Sequence, residues 1–210
     1  MFIELYKHEG VFSMIEKISI KITNQIVERK LISEYMREWY IYAFLRIFEV
    51  SISILTMVVI GGVTNNLIPM ILFWIFFDLL RRRAGGFHCK KFWQCYFFTT
   101  VTFIGVVMIE PFLSKHFIIQ ILLLTVASLD VMIVGTVNHP SMNYDTKEIK
   151  KSKELSRRIL IIELWIIFSL FLIGVKETYL TYMSLGVILC AVLMSLAKIL
   201  KQEVSINEKT

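Results

Sequence analysis

Long apolar runs are the feature that most constrains how this 210-residue chain can fold. The sequence is 56% hydrophobic, which exceeds the roughly 45–50% apolar content of an ordinary soluble domain. Within a bilayer, only helices or a closed barrel satisfy every backbone polar group. The runs are about as long as a spanning helix and do not alternate between apolar and polar residues, so they favour helices. We therefore expect an all-α integral membrane protein.

Six apolar segments predict six transmembrane helices. They cover approximately residues 40–60, 67–80, 95–113, 117–137, 159–175 and 179–197, and the third is expected to stop near Pro111. As a helix, the second segment would measure about 21 Å, which is less than the ~30 Å hydrocarbon core. Either Arg81 and its neighbours are drawn inward or the bilayer is thinner at this helix.

Apolar residues recur at helical spacing near the N-terminus, within a cytoplasmic or interfacial region over residues 1–39. They are Val11, Ile15, Ile18, Ile22 and Ile26. This pattern predicts an amphipathic helix that lies on the membrane surface. A helix packed on the bundle is the alternative.

The distribution of lysine and arginine predicts the topology. With six spans and both termini on one side, that side holds 21 of the 23 cations when Arg46 of the first segment is counted with the N-terminus, and only Lys115 and Lys176 lie opposite. Because positive residues collect on the cytoplasmic side, we place the N- and C-termini in the cytoplasm. We expect one polytopic membrane domain over residues 1–210, with a basic cytoplasmic connector at 138–158. No nucleic-acid partner is expected.

The connector at residues 81–95, RRRAGGFHCKKFWQC, concentrates reactive side chains between two apolar segments. A topology signal explains its five cations but not a double glycine, Gly85–Gly86, followed by His88 and Cys95. A zinc site made of His88, Cys89 and Cys95 is a second interpretation, but a structural site needs a fourth ligand at a recognisable spacing. We therefore expect neither a metal nor another cofactor.

A cysteine–histidine pair is the third interpretation. Cys95 lies at the predicted start of a helix, where unpaired N–H groups and the helix dipole favour a thiolate, and Lys90–Lys91 add positive charge. One straight helix would separate His88 from Cys95 by about 10 Å, whereas proton transfer needs about 2.6–3.2 Å or a bridging water. His88 must then lie in a turn, which Gly85–Gly86 permit because glycine adopts positive φ. A plain helix C-cap is the alternative role of the glycines.

The connector resembles the signature of the accessory gene regulator protein B (AgrB) family. These are membrane cysteine endopeptidases of Gram-positive bacteria that cut a quorum-sensing propeptide and promote its cyclisation. The family pattern is an arginine-rich start, Ala-Gly-Gly, an aromatic residue, His, and Cys seven residues later. It is matched by Arg81, Arg82, Arg83, Ala84, Gly85, Gly86, Phe87, His88 and Cys95. Cys89 stands where the family commonly has alanine, so the connector holds a second thiol.

The resemblance implies that His88 is the base and Cys95 the nucleophile. An acyl-enzyme thioester would form and be attacked by a cysteine or serine of the bound peptide, closing a thiolactone or lactone. It also implies an AgrD-like precursor peptide as substrate, a homodimer, and a multi-pass position in the lipid bilayer of the cell membrane with a cytoplasmic active site. Arg81, Arg82 and Arg83 would bind the acidic part of the precursor, shape the loop through Asp78, or only keep the connector in the cytoplasm.

Charged residues inside the apolar segments support an alternative function. Asp130, Glu163 and Arg46 are costly in a bilayer and are usually paired or functional. A small transporter or peptide exporter would use them as a polar pathway, and a scaffold that recruits a partner to acidic lipid is a further alternative. For each of the three residues, we expect a buried ion pair or a hydrogen bond that stabilises the bundle.

Overall fold

The computed structural model describes residues 11–87, 92–138 and 145–201, without the side chains of 11–13, 92 and 93. Helices dominate this part of the chain, and it contains no strand beyond one isolated bridge. A short 3₁₀ turn, Glu34–Met36, precedes the second helix. The long helices are α1 Val11–Glu28, α2 Arg37–Val63, α3 Leu67–Ala84, α4 Phe92–Lys115, α5 Phe117–Val134, α6 Thr146–Leu172 and α7 Glu177–Ile199.

Four helical segments are long and apolar enough to cross a membrane. They are Glu34–Val63, Gln94–Lys115, Phe117–Val134 and Glu177–Ile199. Each of the six predicted segments overlaps a helix, but every 18-residue stretch of α3 and of α6 contains more than two charged residues. The all-α prediction is confirmed for the described residues, and these four helices are candidates for membrane spans. The count of six spans and the cytoplasmic termini stay predictions.

Two predicted helix boundaries differ from the structure. The second apolar segment was expected to end at Leu80, yet α3 continues through the arginines to Ala84, because arginine is a good helix former. The expected stop near Pro111 is wrong, since α4 continues to Lys115. Proline removes one N–H donor but has a φ close to the helical value, and the N–H of His116 still bonds the carbonyls of Phe112 and Leu113.

The described chain divides into two compact units, so a single domain stays a prediction. Among the described residues, the N-terminal unit comprises 11–59 and 92–102, and the main unit comprises 60–87, 103–138 and 145–201. In the N-terminal unit, α1 buries Ser19 and Thr23, while Ile18 is 41% exposed. The Arg37 Nε donates to Asn24 Oδ1 at 2.9 Å. One face of α1 is thus covered by protein. This agrees with the alternative prediction that α1 packs on other helices rather than only on the membrane surface.

In the main unit, α7 is the central helix and is buried along most of its length. Gly186 allows α3 to approach, because a Cβ there would lie 2.8 Å from the Phe73 carbonyl oxygen. The core side chains around α7 include Leu80, Val131 and Leu160, each fully buried. Helices α3, α5 and α6 therefore pack around α7.

The ends of several helices meet at one end of the main unit. The Val137 N–H donates to the Ala84 carbonyl at 2.8 Å, so the chain after α5 lies beside the end of α3. The Phe87 N–H donates to the Leu193 carbonyl of α7 at 2.9 Å. We call this region the loop end: residues 81–87, residues 135–138, the first turns of α6 and the last turns of α7. Parts of three segments that the predicted topology puts on one side of the membrane thus lie together.

Candidate functional site

The double glycine makes the sharp turn that its sequence allows. Gly85 caps α3 with φ 68°, and its N–H bonds the Arg81 carbonyl at 3.0 Å. Gly86 has φ 124°, and a Cβ there would overlap the Arg81 guanidinium and approach the Leu193 carbonyl oxygen to 3.0 Å. The helix cap and the turn are both present, and position 86 has no room for a side chain.

The Arg81 side chain folds back over this turn. Its guanidinium donates to the Gly85 carbonyl oxygen at 2.5 Å and also to the Phe87 carbonyl oxygen. Arg82 instead pairs with Asp78 one helical turn earlier, at 2.6 Å, while the Arg83 side chain is exposed. Of the three arginines, Arg81 therefore shapes the loop directly.

His88 and Cys89 lie outside the described residues, as do Lys90 and Lys91. The distance between His88 and Cys95 therefore stays a prediction. Within the described residues, no group of three or more His, Cys, Asp and Glu side chains could hold a metal ion. The residue directly before His88 is held in place, because the Phe87 N–H donates to a backbone carbonyl of α7.

Cys95 is the fourth residue of α4 and is partly exposed. Its neighbour Tyr96 bonds Thr56 of α2 through their hydroxyls at 2.9 Å, which fixes this turn of α4 within the N-terminal unit. The Arg46 guanidinium interacts electrostatically with Cys95 and also pairs with Glu49 at 3.0 Å. Cys95 therefore lies in the first turns of a helix, where unpaired N–H groups and the helix dipole create a positive potential.

Sequence reasoning did not connect Arg46 with Cys95. The two residues are far apart in the chain, and no spacing rule links positions on different helices. A cation inside an apolar segment was the available signal, because such a residue is usually functional or paired.

Cys190, the other thiol of the described chain, has a different environment. It belongs to α7 and is 0% exposed in the core of the main unit. A thiol enclosed by apolar side chains is inert and out of reach of a peptide. Between these two cysteines, Cys95 is the better nucleophile.

The charged residues within the apolar segments behave in three ways. Asp130 accepts a hydrogen bond from Ser195 Oγ at 2.8 Å, which ties α5 to α7 as expected. Arg46 forms the expected ion pair, although its side chain is 54% exposed rather than buried. For Glu163 the expectation is wrong: it is 2% exposed, and neither carboxyl oxygen has a hydrogen-bond partner among the described residues.

Comparison with known proteins identifies the family. The family model described as accessory gene regulator B matches residues 19–196, from the middle of α1 nearly to the end of α7. No curated protein and no solved structure gives a significant match. The chain is therefore a membrane protein of the accessory gene regulator B (AgrB) family, which takes part in the processing of quorum-sensing propeptides.

Proposed function

We propose that this protein is a membrane cysteine endopeptidase that removes the C-terminal part of an autoinducing-peptide precursor and promotes cyclisation of the remainder. The observation that carries the proposal is the setting of Cys95. This thiol is partly exposed in the first turns of α4, at the end of the helix where N–H groups are unpaired. Cys190, by contrast, is fully buried.

In the first step, the His88 imidazole takes the proton from the Cys95 thiol. The thiolate adds to a carbonyl carbon of the bound precursor, and the peptide C–N bond breaks. The imidazolium returns the proton to the leaving amine, so the C-terminal fragment departs with a neutral or protonated N-terminus. An acyl thioester on Cys95 remains.

In the second step, a thiol or hydroxyl inside the bound peptide attacks the thioester carbonyl. The C–S bond to Cys95 breaks, the proton passes to the departing sulfur, and the product is a thiolactone or a lactone. With a thiol nucleophile, one thioester replaces another, so the ring closes without ATP. Water has to be excluded at this stage, because hydrolysis would release a linear peptide.

The proposal includes a position for the reaction at the cytoplasmic boundary of the cell membrane. It combines six spans, both termini in the cytoplasm, and a homodimer embedded in the bilayer. Residues 81–87 contact residues 135–138 and α7, which supports a position for these segments on the same side of the membrane. The exposed Arg83 side chain is available to bind the acidic part of the precursor.

Precursor cleavage in proteoliposomes tests this function. We expect Cys95→Ser and His88→Ala each to abolish release of the C-terminal fragment while the protein remains inserted. A stable thioester between precursor and wild-type enzyme should be trapped by acid quenching and cleaved by hydroxylamine. Cys89→Ala is the matched control and should retain cleavage. If Cys89→Ala abolished cleavage and Cys95→Ser did not, the assignment of the nucleophile would be wrong.

The transporter hypothesis is distinguished by a different substitution. Glu163, buried without a partner among the described residues, is the observation that favours it. A transporter with a polar pathway would lose peptide flux on Asp130→Asn and keep it on Cys95→Ser. The peptidase proposal predicts the reverse for precursor cleavage.

A further inference from the structure

One backbone oxygen at the loop end accepts hydrogen bonds from two distant side chains. The carbonyl of Arg83, in the last turn of α3, accepts from Thr136 Oγ1 at 3.0 Å and from Ser152 Oγ at 2.9 Å. Both hydroxyl residues are buried, at 2% and 3% exposure. The last carbonyls of a helix have no partner inside the helix, so these two hydroxyls supply one from outside α3.

Another serine of α6 donates to a backbone carbonyl at the end of α5. Ser156 is one helical turn after Ser152 on α6, is 0% exposed, and donates to the Gly135 carbonyl at 2.6 Å. Gly135 caps α5. Two serines on one face of α6 thus hold the C-terminal ends of two different helices.

The start of α6 is itself fixed, which makes it a firm support for these contacts. Asp145 caps the helix: its side chain accepts from the Glu148 N–H, and the Glu148 side chain accepts from the Asp145 N–H at 2.9 Å. This reciprocal arrangement is a capping box, which satisfies N–H groups that a helix start leaves unpaired. Ser152 therefore projects from a helix with a defined first turn.

These contacts act on the loop through the backbone. Arg83 comes directly before Ala84, whose carbonyl accepts from the Val137 N–H at 2.8 Å, and two residues before the Gly85 cap. Moving the end of α3 would therefore move the double-glycine turn and the point where the chain enters residue 88. A displacement of about 1 Å at a reacting group can cost ~100-fold in rate.

We infer that Thr136 and Ser152 are positioning residues for the peptidase reaction: their hydroxyls hold the end of α3 and thereby set the path of the chain into residue 88. This inference rests on the proposed function. It assigns a role to residues 135–138 and to α6, which contribute no side chain to the proposed chemistry. It also assigns the role to the hydroxyl groups rather than to the volume of these side chains.

The test compares isosteric and conservative substitutions in precursor cleavage. Thr136→Val and Ser152→Ala remove a hydroxyl, and we expect kcat to fall about tenfold with KM within about twofold of wild type, because geometry rather than peptide affinity is disturbed. Thr136→Ser keeps the hydroxyl and should restore kcat. Ser128→Ala is the matched control, because Ser128 is also buried in the main unit but bonds a carbonyl of its own helix.

Hydrogen exchange supplies a second readout that needs no activity. Thr136→Val and Ser152→Ala should accelerate exchange of the Gly85 and Phe87 amides several-fold, because exchange reports local opening. Thr136→Ser and Ser128→Ala should leave both amides at the wild-type rate. Unchanged exchange in the hydroxyl-less variants, or equal loss of kcat in Thr136→Val and Thr136→Ser, would overturn the inference.

The two proposals can fail separately. Cleavage by Cys95→Ser at the wild-type rate would overturn the peptidase proposal, whatever the exchange data show. Loss of cleavage in Cys95→Ser with wild-type kcat and KM in Thr136→Val and Ser152→Ala would overturn the positioning role alone.

Discussion

The two ends of the main unit use polar side chains differently. At the loop end, the contacts between elements are mainly side chains that donate to backbone carbonyls, as Thr136 and Ser152 do to Arg83, although Ser195 of α7 also bonds the Asp130 side chain of α5. At the opposite end, which we call the far end, side chains of α4, α5 and α7 bond one another. That chain of contacts joins Glu110 to Ser114 at 2.6 Å, Ser114 to Thr181 at 3.3 Å, Thr181 to Gln120 at 3.0 Å and Gln120 to Ser184 at 3.1 Å.

This difference separates positioning from stability. A bond to a backbone carbonyl fixes the path of the chain at one residue, which matters where a reactive group follows. A bond between two side chains holds one helix against another, and it contributes modestly in a membrane because the separated helices also find polar partners. We therefore expect changes at the loop end to reduce catalysis and changes at the far end to reduce the free energy of unfolding.

The largest effect is expected for Gly86→Ala at the loop end. The added Cβ would overlap the Arg81 guanidinium and crowd the Leu193 carbonyl at a residue with φ 124°. The turn must shift, and we expect precursor cleavage to fall by about 100-fold or more, because displacement of a reacting group is costly. Cleavage in proteoliposomes with matched protein amounts measures this.

Gly174→Ala is the control for Gly86→Ala. Gly174 also has a positive φ of 78°, but no described atom lies within 4 Å of the Cβ position. Alanine there adds only backbone strain of about 1–2 kcal/mol, so cleavage should stay within about twofold of wild type. Equal loss of cleavage in the two variants would contradict a specific role for the double-glycine turn.

The sequence predicted the helices well, because their signals are local. Apolar runs located α2 to α7, and the double glycine indicated the turn after α3. The supporting contacts left no such pattern: Thr136 and Ser152 lie 53 and 69 residues from Arg83, and nothing distinguishes these two hydroxyls from others in the chain. The prediction that Glu163 has a bonding partner was wrong for a similar reason. The position of a charged residue in an apolar segment does not show which side chains surround it in the fold.

At the far end, Gln120→Leu is expected to lower stability without a change in kcat. Gln120 is 5% exposed and bonds both Thr181 and Ser184 of α7. Leucine keeps the approximate volume and removes both bonds, which should cost about 1 kcal/mol in the free energy of unfolding in mixed micelles. A double-mutant cycle with Thr181→Val isolates their shared bond, and a fall in kcat beyond twofold would break the separation between the two ends.

The smallest effect is expected for Glu163→Gln. This variant tests whether hydrogen bonding or burial determines how much the free energy of unfolding falls when a polar side chain is replaced. Glu163 is 2% exposed, slightly more buried than Gln120, yet its carboxyl has no hydrogen-bond partner among the described residues. The carboxyl makes no hydrogen bond that the substitution could remove, so an uncharged amide of nearly the same shape should replace it with little change. We expect the free energy of unfolding to fall by less than it does for Gln120→Leu, which removes two hydrogen bonds. A loss of stability as large as that of Gln120→Leu would mean that burial alone makes the replacement of a polar side chain in this unit destabilising. The contrast between the two ends of the unit would then reflect burial of the side chains rather than their hydrogen bonds.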